Sequence, residues 1–285
     1  MTNIPILNTI SEIAEKYDAW FCDIWGVLHN GERVFGKAIE ACQAYMKSGG
    51  SVILISNSPR PSFSVKHQFD MLGLPHNAYH AIVTSGDVTR GLIKNHAHLS
   101  LFHLGPERDV PLFEDISTQS TSAEKAEVLL CTGLFDDETE TPDDYLDMLT
   151  QFAKRDVPMI CANPDIQVER GDTLIYCAGA LAEVYKRMNG RVLFAGKPHA
   201  PIYQEAQKQL EVLIHKALPQ NKVLCVGDGI HTDIEGAHRN GFDVLYIASR
   251  LHTHKCNQNL TQKDVSTLFR DSSFSPVAAQ IGLKW

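Results

Sequence analysis

Four segments of the sequence carry side chains that can do chemistry, and three of them directly follow an apolar run. In open α/β sheets, ligands bind outside the carboxyl ends of the strands, so residues at such junctions are candidates for a site. One run ends in an aspartate, another in three small polar residues, and a third in two carboxylates five residues apart. The fourth segment holds a lone lysine between glycine and proline. The residues are Asp23; Ser56, Asn57 and Ser58; Asp228 and Asp233; and Lys197.

Together, these residue types suit the handling of a phosphoryl group. A carboxylate can act as a nucleophile or a metal ligand, while hydroxyl, amide and ammonium groups can hold phosphoryl oxygens. An oxygen-only ligand set favours a hard cation such as Mg²⁺. Each residue also has a simpler explanation, because carboxylates cap helices, Ser-Asn-Ser forms turns and lysines lie on surfaces. The combination favours the functional interpretation.

The elements that must position these residues follow a regular alternation. Short apolar runs alternate with amphipathic segments along the chain, which is typical of α/β proteins with a mainly parallel sheet. Nine strands are predicted, more than the usual four to six of one sheet, so two sheets are expected. The predicted strands are 19–23, 51–56, 80–84, 100–104, 128–132, 159–162, 192–195, 223–226 and 244–247. The predicted helices are 39–47, 141–155, 200–215 and 233–240.

Length and composition predict a soluble globular protein of one large or two moderate domains. The chain has 285 residues, of which 44% are hydrophobic, and a net charge of -8 that argues against nucleic-acid binding. Seven cysteines without a CxxC pair indicate reduced, buried thiols. The amino terminus lacks the pattern of a signal peptide, and no stretch approaches the ~18 apolar residues of a membrane span. A cytoplasmic location without membrane attachment is expected.

The negative charge is concentrated in one segment. Residues 134–153 contain seven acids and no lysine or arginine, and outside this segment 27 acidic residues face 26 basic ones. A solvated face with a well-capped helix explains the run, and a role in binding a partner or an amine is the alternative. A nearby group of histidines (His96, His98 and His103) has no cysteine at ligand spacing and is expected at the surface.

The four segments, in their order along the chain, resemble the four motifs of the haloacid dehalogenase-like (HAD) superfamily of hydrolases. The resemblance is to its subfamily IIA, which includes predicted sugar phosphatases and nitrophenyl phosphatase-like enzymes. It extends to 163–165, 179–183, 196–201 and 227–241, and covers about residues 18 to 248, while 249–285 matches nothing. It implies a Rossmann-like core, a parallel sheet with helices on both faces, in 1–92 and 191–285. It also implies a large inserted α/β cap domain in 93–190.

The same resemblance implies a role for each candidate residue. Asp23 would be the nucleophile that forms an aspartyl-phosphate, Ser56 and Lys197 would hold phosphoryl oxygens, and Asn57 would support the loop. Mg²⁺ would be bound by Asp23, Asp228 and the backbone carbonyl of Trp25. The supporting residues would be Asp233, which orients a metal-bound water or the lysine, together with Gly26 and Ser58.

Trp25 departs from the family pattern. The family usually has an aspartate two residues after the nucleophile, which protonates the leaving group and activates water; here that position is Trp25. General acid–base catalysis typically contributes 10²–10⁴-fold, so its loss removes on the order of 3–5 kcal/mol of transition-state stabilisation. His29, His199 and His231 could each replace the acid, or each could be solvated or locally paired. Substrates with good leaving groups would need no acid.

Two functions therefore compete. The first is a Mg²⁺-dependent phosphatase acting on a small phosphorylated metabolite, with a sugar phosphate as one candidate. The second is a degenerate member that binds a phosphorylated ligand or partner with little turnover. A phosphoacceptor receiver domain is disfavoured by the large insertion, and a dinucleotide-binding enzyme by the lack of a Gly-x-Gly-x-x-Gly motif after a strand. The identity of the substrate, the role of 249–285 and the oligomeric state, including a homodimer, stay open.

Overall fold

The chain folds into two parallel sheets and a small hairpin. A computed structural model of the protein describes residues 4–170, 173–248 and 260–285. Its strands, in chain order, are β1 (Ala19–Asp23), β2 (Ser51–Ser56), β3 (Ala81–Thr84), β4 (Ser100–Leu104), β5 (Gln119–Ser120), β6 (Val128–Cys131), β7 (Met159–Cys161), β8 (Gln167–Arg170), β9 (Thr173–Tyr176), β10 (Val192–Phe194), β11 (Val223–Gly227), β12 (Asp243–Ile247) and β13 (Ala278–Gln280).

Helices connect most of the strands. The α-helices are α1 (Ser11–Ala14), α2 (Gly36–Lys47), α3 (Ser62–Leu72), α4 (Ser85–Asn95), α5 (Leu146–Lys154), α6 (Ala178–Arg187), α7 (Ala200–Ile214), α8 (Glu235–Arg239) and α9 (Gln262–Leu268). A 3₁₀ turn at Pro142–Tyr145 leads into α5, and a π-helical turn at Ile230–Ile234 leads into α8. None of the helices in the described part of the chain has both the length and the apolar character needed to cross a bilayer.

The six-stranded sheet has the order β13-β12-β11-β1-β2-β3, with β1 at its centre. Strand β1 is parallel to both neighbours, with Cys22 opposite Val226 of β11 and Leu54 of β2. All residues of β1, β2 and β11 are buried, as expected for central strands covered on both faces. The carboxyl ends of β1 and β11 therefore meet at one edge of this sheet.

The five-stranded sheet has the order β10-β7-β6-β4-β5, and each neighbouring pair is parallel. Its core is built from apolar residues of β6 and β7 together with Phe152 of α5 and Tyr185 of α6. The antiparallel pair β8–β9 lies outside both large sheets. The prediction of an α/β protein with two sheets is confirmed.

All nine predicted strands are present to within one residue, and β5, β8, β9 and β13 were not predicted. Residue contacts divide the chain into two compact units. The first comprises 1–56, 67–83 and 198–285, and the second comprises 57–66 and 84–197. The second unit is wider than the predicted insertion of 93–190, because α4 belongs to it and β10 pairs with β7. The predicted domain limits stay a prediction.

Local predictions had mixed outcomes. Six cysteines are buried free thiols, as predicted, while Cys256 lies outside the described residues, as does the part of the unmatched C-terminal segment from 249 to 259. The expectation that His103 lies at the surface is wrong. Its ring is half-buried against Phe113 and hydrogen-bonds to Thr132 Oγ1, and burial lowers its pKa to about 4.

The end of the chain completes the six-stranded sheet. Strand β13 pairs in parallel with β12, and Ile6 forms a bridge to Ala279. The fully buried side chain of Gln280 binds the backbone on both sides of the strand. Its Nε2 donates to the carbonyl oxygens of Asn8 at 3.1 Å and Lys284 at 3.2 Å, while its Oε1 accepts from the Lys284 N–H. One amide thus joins the first and last described segments of this unit.

We expect Gln280→Ala to destabilise the protein by about 2–4 kcal/mol, because a fully buried side chain is removed, the Asn8 carbonyl and the Lys284 N–H lose their hydrogen-bond partner, and a cavity remains. Urea-induced unfolding followed by circular dichroism measures this change. The matched control is Gln209→Ala, whose amide binds Glu205 on the exposed face of α7 and should cost less than about 0.5 kcal/mol. Equal stability of the two variants would contradict the role assigned to Gln280.

Candidate active site

Three aspartates come together at the carboxyl edge of the six-stranded sheet. Asp23 is the last residue of β1, Asp228 follows β11 directly, and Asp233 belongs to the π-helical turn after β11. One carboxylate oxygen from each residue lies within 4.8 Å of the others. The three residues are 6%, 5% and 3% exposed. Parallel pairing of β1 and β11 is what brings carboxylates 205 residues apart in sequence to one place.

Two glycines make room for these carboxylates. Gly26 has a φ of +82°, and a Cβ at this position would lie 2.1 Å from Oδ2 of Asp228. A Cβ on Gly227 would lie 2.2 Å from Cγ of Asp233. Any side chain at either position would displace a carboxylate. Glycine at these two positions therefore leaves the space that the carboxylates occupy.

The turn after β11 orients Asp233. The Gly229 N–H donates to Asp233 Oδ2 at 3.1 Å, and the Asp233 N–H donates to the Gly229 carbonyl at 2.8 Å. This reciprocal pair closes the first turn of the π-helical segment. Such segments are rare and occur frequently at functional sites. The sequence predicted a helix from 233, but not the π-helical turn that fixes this carboxylate.

The residues of this cluster fit a hard divalent cation. Every ligating atom is a carboxylate oxygen, the donor type that Mg²⁺ prefers. Two ionised carboxylates about 5 Å apart repel each other by on the order of 3–4 kcal/mol at an effective dielectric constant of 20. Burial of three such groups therefore favours a bound cation. The backbone at Gly26 and Gly227 packs directly against the Asp228 and Asp233 carboxylates.

Trp25 folds back into its own loop. A Cβ on Gly31 would lie 2.4 Å from the Trp25 indole, and the Trp25 and His29 rings contact edge to face with centroids 5.2 Å apart. The Gly26 N–H donates to the His29 carbonyl at 2.8 Å. Residues 24–35 thus form a compact loop in which the indole is part of the packing.

The three candidate histidines have different environments. His29 is 1% exposed, its Nδ1 accepts from the Gly31 N–H at 2.9 Å, and burial lowers its pKa to about 4. It is therefore neutral at pH 7, with its proton on Nε2, and is poorly suited to donate a proton. His231 is exposed and faces the Glu235 carboxylate at 3.4 Å, whereas His199 is half-buried directly before α7.

Ser56 ends β2 in the first unit, and the other predicted phosphate-binding residues belong to the second unit. Asn57 and Lys197 are both buried, and one side-chain amide binds both backbone groups of the lysine. Asn57 Oδ1 accepts from the Lys197 N–H at 2.7 Å, and Asn57 Nδ2 donates to the Lys197 carbonyl at 3.0 Å. Ser58 Oγ accepts from the Arg60 N–H, which makes it part of a turn.

Sequence reasoning gave no role to one residue that contacts Asn57. Asp165 Oδ1 accepts from Asn57 Nδ2 at 2.9 Å, and the Asp165 N–H donates to Asn163 Oδ1 at 3.1 Å. The available signal was the triplet Asn-Pro-Asp at 163–165, which follows the apolar run of β7 at the same kind of junction that identified the other candidates.

A largely parallel six-stranded sheet whose central strands end in buried carboxylates defines a Rossmann-like α/β enzyme core. Known proteins agree with this class. A family described as haloacid dehalogenase-like hydrolase matches residues 20–119, and one described as HAD-hydrolase-like matches 194–265. A haloacid dehalogenase-like hydrolase from Brucella suis 1330 is 42% identical over 97% of this chain and 99% of its own, with a TM-score of 0.86. The chain belongs to the haloacid dehalogenase-like hydrolase family.

More distant structures share the fold. A possible sugar phosphatase of the HAD superfamily from Cytophaga hutchinsonii is 20% identical over 96% of both chains, with a TM-score of 0.76. A 4-nitrophenylphosphatase from Thermotoga maritima is 17% identical over 93% of this chain and 94% of its own, with a TM-score of 0.70. No curated protein matches the chain.

We expect Mg²⁺ to stabilise the protein through the carboxylate cluster. At about 100 times its dissociation constant, a bound ion adds about 2.7 kcal/mol to the free energy of unfolding. Asp228→Asn should lose this increment, while its stability in EDTA should be unchanged or higher because repulsion within the cluster is reduced. Gly26→Ala should lose it too, since a Cβ displaces Asp228.

Urea unfolding in Mg²⁺ and in EDTA measures the increment. The control is Asp147→Asn, which changes an exposed carboxylate of α5. An equal effect of Mg²⁺ on the Asp228 and Asp147 variants would contradict a metal site at the cluster.

Proposed function

We propose that the protein is a Mg²⁺-dependent phosphatase that acts on a small phosphorylated metabolite through an aspartyl-phosphate. The observation that carries this proposal is the buried cluster of Asp23, Asp228 and Asp233 at the ends of β1 and β11. Family membership supports hydrolase chemistry, and two relatives of the same fold are named as a sugar phosphatase and a nitrophenylphosphatase. A sugar phosphate is one candidate substrate. The cytoplasmic location and a homodimer stay predictions.

In this proposal Asp23, Asp228 and the Trp25 carbonyl hold Mg²⁺, which when bound would neutralise charge on the phosphoryl group. Ser56 and Lys197 hold the other phosphoryl oxygens, with Asn57 supporting the lysine. Asp233 acts as an orienting residue, fixed by the Gly229 N–H. Gly26 and Ser58 shape the two loops.

The proposed reaction has two steps. A carboxylate oxygen of Asp23 attacks phosphorus in line, the phosphorus–oxygen bond to the leaving group breaks, and the leaving oxygen keeps the electron pair. Water then attacks the aspartyl-phosphate, which releases inorganic phosphate and restores the carboxylate. Lys197 contributes a fixed positive charge where negative charge develops on the phosphoryl oxygens. A side chain that donates a proton to the leaving oxygen accelerates the first step, and one that accepts a proton from the attacking water accelerates the second.

Trp25 determines which substrates this site can use. An indole cannot donate a proton to a leaving oxygen, and the ring packs on Gly31 and His29. Turnover is then fastest with leaving groups that depart as stable anions, such as aryl oxides, and slower with alkyl phosphates such as sugar phosphates. This observation also favours the second candidate function, a protein that binds a phosphorylated ligand with little turnover.

The decisive experiment is a screen of phosphorylated metabolites and 4-nitrophenyl phosphate, in Mg²⁺ and in EDTA. We expect phosphate release only in Mg²⁺, fastest from the substrates whose leaving groups have the lowest pKa. Asp23→Asn should abolish release, because its amide cannot attack phosphorus. Phosphate release from no compound of the panel would favour the binding function over the phosphatase.

Restoring the acid tests the role of position 25. Trp25→Asp should raise kcat for alkyl phosphates by about 10²-fold or more, within the usual contribution of a general acid, and should change aryl phosphates less. Trp25→Asn is the matched control, since it removes the same indole packing without adding an ionisable group. Equal rates for the Asp and Asn variants would contradict the assignment.

A further inference from the structure

The main chain of Lys197 is held by a single side chain. Asn57 accepts a hydrogen bond from its N–H and donates one to its carbonyl, at 2.7 Å and 3.0 Å. Both backbone polar groups of the lysine are thus tied to one planar amide. This arrangement fixes the point from which the lysine side chain starts, in a place where the lysine itself is 2% exposed.

Asp165 adds a further hydrogen bond that favours the same orientation of that amide. The two ends of an asparagine amide have nearly the same shape, so hydrogen-bond partners alone decide its orientation. An ionised carboxylate only accepts hydrogen bonds, and Asp165 Oδ1 lies 2.9 Å from Asn57 Nδ2. A flipped amide would place two oxygens against each other here. Asp165 therefore reinforces the orientation that the two hydrogen bonds to the Lys197 main chain already favour, with Asn57 Oδ1 facing the Lys197 N–H.

Close packing leaves this network little freedom. A Cβ on Gly196 would lie 2.4 Å from Asn57 Oδ1 and 2.8 Å from Pro164 Cδ. A Cβ on Gly179, in the first turn of α6, would lie 2.1 Å from the Pro164 carbonyl oxygen and 2.4 Å from that of Asp165. The segments after β7 and β10 are thus pressed against Asn57 and against the start of α6.

We propose that Asp165 is a positioning residue for Lys197 and acts through the amide of Asn57. This inference rests on the proposed function, in which Lys197 holds a phosphoryl oxygen. Small displacements of a positioning group can lower a rate by about 10²-fold. Removal of the Asp165 carboxylate takes away one of the hydrogen bonds that hold the Asn57 amide, so that the amide can tilt and the backbone of Lys197 is held less firmly.

The test is a double-mutant cycle with 4-nitrophenyl phosphate as the substrate. Asp165→Ala should lower kcat by about 10–100-fold with a smaller change in KM. In a Lys197→Ala background the same substitution should have little further effect, because the residue it positions is already absent. Asp165→Asn should retain most of the activity, since its carbonyl oxygen can replace the carboxylate as the acceptor. The control Asp147→Ala removes an exposed carboxylate and should leave kcat unchanged.

A second measurement does not depend on activity. Residue-resolved hydrogen exchange should show faster exchange of the Lys197 amide in Asp165→Ala than in the wild type, with unchanged exchange in β1. A purely global loss of stability would instead accelerate exchange in both places.

The outcomes separate the two proposals. If the wild type is active and Lys197→Ala is much slower, but Asp165→Ala changes neither kcat nor Lys197 exchange, the positioning role is overturned and the phosphatase stands. Multiplicative rate losses in the double variant would also overturn it. If the wild type releases no phosphate, the phosphatase fails, and the exchange experiment alone decides whether Asp165 holds Lys197: faster exchange supports it, and unchanged exchange overturns it.

Discussion

The close approach of three buried carboxylates is the constraint that shapes the carboxyl edge of the six-stranded sheet. Asp23, Asp228 and Asp233 lie within 4.8 Å of one another in a place from which water is largely excluded. Apolar packing alone would not choose such an arrangement. The fold imposes it because β1 and β11 are parallel neighbours, and both end at the same edge. Glycines at 26 and 227 then remove the side chains that would keep the acids apart.

The candidate site residues of the two units are held in place by different interactions. In the first unit, the carboxylates are crowded by the backbone, with Asp233 held by the Gly229 N–H. In the second unit, the neutral side-chain amide of Asn57 hydrogen-bonds to the main chain of Lys197 and does not contact the lysine side chain through these bonds. Carboxylates on short side chains are placed well by the backbone to which they belong. A lysine has a long flexible side chain, so hydrogen bonds to its main chain fix the position of its Cα but not that of its ammonium group.

The strands were predictable because the central parallel strands are buried on both faces and appear as continuous apolar runs. The strands that sequence reasoning missed lack this pattern. Strand β13 is Ala-Ala-Gln and forms because β12 on one side and residues 5–7 on the other satisfy its backbone. Strand β5 has two residues, and β8 and β9 are largely polar or exposed. Candidate residues could be found from single junctions. Their partners could not, because the pairing of Asn57 with Lys197 or Asp165 depends on contacts across more than 100 residues.

The acidic segment 134–153 shows how local bonding can account for charges that appear functional in sequence. Asp144 accepts from the Thr141 N–H and Oγ1, which caps the turn before α5 and lowers the pKa of this carboxyl. Asp136 accepts from the Glu138 N–H and the Thr139 hydroxyl, with the same effect on its pKa. Asp137 pairs with Arg108. Acids that are engaged in caps, turns and an ion pair support the structural interpretation of the run. Since the rest of the chain is close to neutral, the charge that an anionic substrate meets is set by the few residues around it and not by the net charge of -8.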